Sequence, residues 1–175
     1  LLPLGIVAYV HTVCFGGPLR TGYSFLVHPT FVAGHERGFL GLALPSLEAS
    51  FGLLFGERRG LFRISPVMLP AALGLVAMIW RRAGDRIVRV AALALFVLFL
   101  ANASYYMWWG GAATGPRHLV PMLPAFAFGL GYALQNRRTR LLVMSLAAAS
   151  AVAMLAITAV GIEAPEHGNM LFDYA

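Results

Sequence analysis

Five stretches of this chain are almost free of charge: Leu1–Gly16, Ile64–Trp80, Ile87–Tyr106, His118–Leu134 and Leu141–Ile162. Wound as a helix at about 1.5 Å per residue, the last rises about 33 Å, enough to cross a hydrocarbon core of roughly 30 Å. Ile64–Trp80 and His118–Leu134 sit near the lower limit of about 17 residues. Because a bilayer offers no water to backbone amides, such stretches must be helices rather than open strands. The first reads as the end of a span, and the chain as a piece of something longer. The long connection from Gly17 to Arg63 has an apolar middle, Phe39–Gly56, that could pass for a further span. Pro45, Ser46, Glu48 and Ser50 at its centre argue otherwise, since a carboxylate in mid-bilayer costs about 2.5 to 3.5 kcal/mol. An interfacial or re-entrant helix is predicted there. The expected fold is an all-α, polytopic transmembrane bundle of about five spans, the first truncated. It forms one transmembrane domain over residues 1–175, with residues 17–63 as an extracytoplasmic loop.

Charge then orients the bundle. Arg81, Arg82, Arg86 and Arg89 crowd one short loop, and Arg137, Arg138 and Arg140 another. By the positive-inside bias both face the cytoplasm. The arginines of Glu57–Arg63 and Gly115–His118 then fall outside, where insertion does not require them. Tyr105, Tyr106, Trp108 and Trp109 mark the outer interface and Trp80 the inner one. Composition agrees: 59% of residues are hydrophobic, 11% are charged and the mean hydropathy is +0.76, outside the range of a soluble domain. The net charge of +6 comes from arginine alone and is largely topological, so nucleic acid is not an expected partner. Cys14, the single cysteine, cannot form an intrachain disulfide and reads as packing.

Two segments carry candidate chemistry. In Glu57-Arg58-Arg59-Gly60-Leu61-Phe62-Arg63-Ile64-Ser65-Pro66, three guanidiniums and a glycine stand at the mouth of a span. That suits a lipid-linked phosphate, which arginine grips in bidentate fashion; the plainer reading has these arginines reaching lipid headgroups and pairing with Glu57. In Tyr105-Tyr106-Met107-Trp108-Trp109-Gly110-Gly111, followed by Gly115-Pro116-Arg117-His118, aromatics adjoin flexible glycines and a cation. Arg117 is opposed by the dipole of the helix it precedes, so its placement asks for a reason. Pro121 and Pro124 either start the next helix or bend it beside a cavity. His28, His35 and Glu36 match no compact ligand spacing, so no metal site is assigned; His11 reads as an interior histidine. No Ser/His/Asp arrangement, Lys-ended phosphate loop or carboxylate pair is present in the sequence.

These motifs resemble the C-terminal half of bacterial GT-C-type membrane glycosyltransferases, polytopic enzymes that take sugar from a polyprenyl-phosphate carrier. Phe15-Gly16-Gly17-Pro18-Leu19-Arg20-Thr21-Gly22-Tyr23 is similar to a recurrent stretch of that family. Gly52-Leu53-Leu54-Phe55 through Arg59-Gly60-Leu61-Phe62 and Ser65-Pro66 is similar to its loop leading into a span. Trp108-Trp109-Gly110-Gly111 through Gly115-Pro116-Arg117-His118-Leu119-Val120-Pro121 matches best. The resemblance implies transfer of sugar to a glycan, lipid or protein acceptor at the outer face of a bacterial cytoplasmic membrane. Arg58, Arg59, Arg63 and Arg117 would hold the donor phosphate, with Tyr105, Trp108 and His118 near sugar or lipid. His118 stands where the family often has an aromatic. No organic cofactor is implied, and a divalent cation is left open. The family's catalytic aspartate has no counterpart here: Asp85 falls in the cytoplasmic loop and Asp173 in the tail, so the fragment alone is expected to be inactive. Two rivals stand beside this reading, a transporter or lipid-handling protein and a noncatalytic membrane subunit.

Overall fold

The computed structural model describes residues 2–57, 59–81, 85–111 and 115–160. The described residues are helical, with turns and no strand, and divide into two units, Leu1–Ala43 and Leu44–Ala175.

In the first unit, α1 (Leu2–Phe15) has no buried residue; its apolar side chains, Leu2, Leu4, Tyr9 and Val13 among them, are exposed. Gly16 ends it in the left-handed region (φ +75°), its N–H bonding to the Thr12 carbonyl at 3.0 Å. A short 3-10 turn (Gly22–Phe25) brings Phe25 against Phe15, ring centroids 5.9 Å apart. The loop predicted after Gly17 also contains α2 (Pro29–His35), opened by its proline. His35 stacks on Tyr23, ring centroids 4.5 Å apart.

The second unit begins with α3 (Leu47–Phe55), whose N-cap Ser46 accepts from the Ala49 N–H at 3.0 Å. Its nine residues rise about 14 Å, too short to cross a bilayer. It packs instead, Ala49 and Leu53 fully buried with Ala103 and flanked by Phe99 and Trp108. The segment Ile64–Trp80 resolves into two helices, α4 (Leu61–Ile64) and α5 (Met68–Trp80), because the run is broken at Ser65–Val67 around Pro66. Then come α6 (Arg86–Ser104), a 3-10 turn (Arg117–Met122), α7 (Leu123–Gln135) and α8 (Arg137–Val160). His118–Leu134 is thus also divided, Pro121 lying in the 3-10 turn and Pro124 in the first turn of α7. Here proline initiates a helix rather than bending one. The α6 helix and residues 137–159 of α8 are long and apolar enough to cross a membrane; α5 and α7, at 13 residues each, rise about 20 Å.

The closest helix pair is α5 with α7. A Cβ on Gly74 would overlap the carbonyl oxygen of Gly129, and one on Gly129 that of Ala71, so the two backbones touch. Arg81 and Asn136 each stand seven residues beyond that contact and line one cleft, so α5 and α7 run side by side to the same end. The C-terminal ends of α5 and α7, at Arg81 and Asn136, thus lie together, while residues 82–84 fall outside the described residues. At the other end Ser150 of α8 accepts from the Val67 N–H at 3.1 Å and donates to Leu146 at 2.7 Å, tying α8 to the start of α5.

Candidate functional site: a glycine turn between two arginines

The end of α6 is fixed before the chain turns. The Ala103 carbonyl accepts from the Ser46 N–H at 3.2 Å and the Asn102 carbonyl from Tyr105 at 3.1 Å. Residues 106–109 then turn, closed by a 3.0 Å bond from the Gly110 N–H to the Met107 carbonyl. Gly110 (φ +81°) and Gly111 (φ +69°) continue in the left-handed region, where a side chain would be strained. The loop is anchored by Trp108, whose six-membered ring meets Gly52 of α3 so closely that a Cβ there would overlap it. Trp108 is therefore half-buried against α3, because Gly52 leaves a slot for it. Trp109 meets it edge-on at 5.8 Å.

Two arginines reach this turn. Arg59 is 5% exposed and donates from Nη1 to the Trp109 carbonyl at 2.9 Å. It is delivered by a hairpin in which Gly60 N–H bonds to the Gly56 carbonyl at 2.9 Å; a Cβ on Gly60 would come within 2.6 Å of Gly56, so a side chain would force the hairpin apart. Arg117 comes from the other side. Its side chain runs over the two glycines, such that a Cβ on Gly110 would lie 3.3 Å from its Cγ and 3.6 Å from its Nε, and one on Gly111 3.8 Å from Nη2. Arg117 itself is exposed, and its guanidinium has no hydrogen bond to another described residue. Arg59 is thus a buried brace, and Arg117 a cation free to meet an anion.

The other expected site residues divide. Tyr105 and His118 share the turn, their rings edge-to-face at 6.2 Å, and the His118 Cδ2 lies 3.6 Å from where a Gly110 Cβ would be. Arg63 turns to Glu57, Nη1 to Oε1 3.5 Å, with the two side chains 47% and 82% exposed. Arg58 lies outside the described residues. Among the described residues no three His, Cys, Asp or Glu side chains come together as a metal site would need.

Sequence reasoning passed over Asn102. It is buried, and its side-chain nitrogen has no hydrogen-bond partner among the described residues. On α6 it continues the face of Leu95 and Phe99. Its one signal was chemical: a lone carboxamide in an otherwise apolar run. Below it, that face of α6 and the Ala72–Ile79 face of α5 line a cavity of about 450 Å³, nearly devoid of polar groups. Leu61, Phe62 and Leu119, the residues directly after Gly60 and His118, also line it, so an apolar slot starts beside the arginine-held turn.

The chain matches no protein-family model, no curated protein and no solved structure.

Proposed function

We propose that this chain is part of a polytopic membrane glycosyltransferase of GT-C type, which moves a sugar from a polyprenyl-phosphate carrier to a cell-envelope acceptor at the outer face of a bacterial cytoplasmic membrane. In this reading α6 and α8 cross the membrane and the shorter α5 and α7 lie within it, with the two arginine-rich connections inside and the glycine turn outside. The observation that carries it is the meeting of an exposed arginine, a glycine backbone that admits close approach and an apolar slot beginning beside them. An amphipathic ligand with a phosphate between chain and sugar fits that sequence of surfaces.

The reaction is a displacement at the anomeric carbon. The acceptor oxygen forms the new bond as the carbon–oxygen bond to the lipid phosphate breaks, and the departing phosphate keeps the electron pair. Arg117 stabilises that growing negative charge. Arg59 acts on Arg117 only through the turn both touch, and is a positioning residue. Tyr105 and His118 flank the sugar side. The proton goes to a carboxylate that this reading assigns to the rest of the parent protein.

Lipid translocation would also use a cation beside an apolar slot. Against it stands the position of Asn102: this unpartnered buried amide lies two residues from the end of α6, whereas transporters gather such groups near the midplane. The test is sugar transfer from a polyprenyl-phosphate donor by the full-length parent in membranes. Arg117→Ala is expected to lower turnover about a hundredfold, the loss of one transition-state donor; a folded variant with wild-type turnover would reject the assignment.

A further inference from the structure

A second cleft, of about 550 Å³, opens at the far end of the α5–α7 pair, where the two helices finish level. One wall is a single face of α5, running through Pro70, Leu73 and Ala77 to Arg81. Leu142 and Val143 of α8 form the opposite wall. Polar groups collect at the level end: Arg81, Tyr132, Gln135, Asn136 and Thr139. Two of these, Asn136 and Thr139, are already committed to the α7–α8 turn, as is the neighbouring Arg140. Thr139 Oγ1 donates to the Ala133 carbonyl at 2.8 Å, Asn136 Oδ1 accepts from the Arg138 N–H at 3.0 Å, and Arg140 Nε donates to the Leu134 carbonyl at 3.1 Å. The turn is therefore braced internally, and Arg81 is the charged side chain on the cleft itself.

We propose that this cleft holds one anionic phospholipid of the inner leaflet, its phosphate on Arg81 and an acyl chain between Leu73 and Leu142. The inference rests on the membrane orientation proposed above and not on sugar transfer. Charge chooses the occupant. Arg81 is the charged group on the lining, and Arg137, Arg138 and Arg140 follow Asn136 directly in the chain, so a net-negative headgroup is favoured and a zwitterionic ammonium is not. The apolar walls choose a lipid over a soluble phosphate, which would leave the exposed Leu73 and Leu142 uncovered.

The test uses full-length protein in mild detergent with Arg117→Ala as background, so that the outer site does not contribute. Bound phosphatidylglycerol is counted by native mass spectrometry, with phosphatidylcholine and glycerol 3-phosphate in parallel. Phosphatidylglycerol should be retained about fivefold better than phosphatidylcholine, and glycerol 3-phosphate not at all. Arg81→Gln should lower its retention about fivefold. Leu142→Trp, which fills the slot and leaves every charge in place, should lower it as well. Equal retention in both variants, no preference over phosphatidylcholine, capture of glycerol 3-phosphate, or a protein dimer that excludes lipid would each overturn the proposal. Carbonate washing of the membranes separates the two levels of failure: protein released by the wash removes the spanning reading itself, while protein retained without the lipid adduct removes only the cleft.

Discussion

Arg59 donates from its guanidinium to the main-chain oxygen of Trp109 at 2.9 Å, joining segments fifty positions apart. A buried cation spent on a carbonyl shapes a loop rather than binding a ligand. Replacing it by leucine leaves that oxygen unpaired and loosens the turn on which Arg117 lies. Arg59→Leu is expected to cost about 2 kcal/mol, read as a lower unfolding midpoint in detergent. Transfer should fall through a raised KM for the donor more than through kcat. A wild-type midpoint would show that the bond contributes nothing.

The contact of Trp108 with Gly52 gives a steric prediction. Gly52→Val should destabilise the protein by about 1 to 3 kcal/mol, because the indole has to leave its slot. Adding Trp108→Leu should recover much of the loss. A double variant no better than Gly52→Val alone would mean that the strain arises elsewhere in α3.

Arg63 and Glu57 form an exposed ion pair, a type of contact worth little. Arg63→Ala and Glu57→Ala should each leave the unfolding midpoint unchanged, and Arg63→Ala should keep transfer within a few-fold of wild type while Arg117→Ala does not. Equal losses from Arg63→Ala and Arg117→Ala would restore Arg63 to the phosphate site.

Asn102 poses a choice between packing and function. Leucine is of similar size and has no polar group to satisfy, so Asn102→Leu should raise stability by about 1 kcal/mol or more. If the amide is held in reserve for a ligand, the same variant loses transfer tenfold or more. A more stable variant with undiminished transfer would assign Asn102 to packing alone.

Helix positions were readable from the sequence because hydrophobic runs and arginine-dense loops act over long windows: α6 and α8 fall within a few residues of Ile87–Tyr106 and Leu141–Ile162. The breaks were less legible. Pro66 and Pro121 were visible, but whether a proline bends a helix or starts one depends on neighbouring carbonyls that a linear pattern does not contain. At the site, the sequence drew attention to Arg59 and Arg117 by composition, yet their different roles follow from burial, which only the packing of α3 against Trp108 decides. Arg63 looked equivalent to Arg59 four positions away; rotation about the α4 turn sends one inward and the other to Glu57. Asn102 was overlooked because its neighbours made it look like part of a span.

The backbone contact at Gly74 and Gly129 leaves no side-chain layer between α5 and α7 that could slide or tilt. That pair is in effect a single beam, whereas α6 touches α5 only lightly across the apolar slot. Any widening of the slot therefore falls to its α5–α6 side and not to the α5–α7 seam.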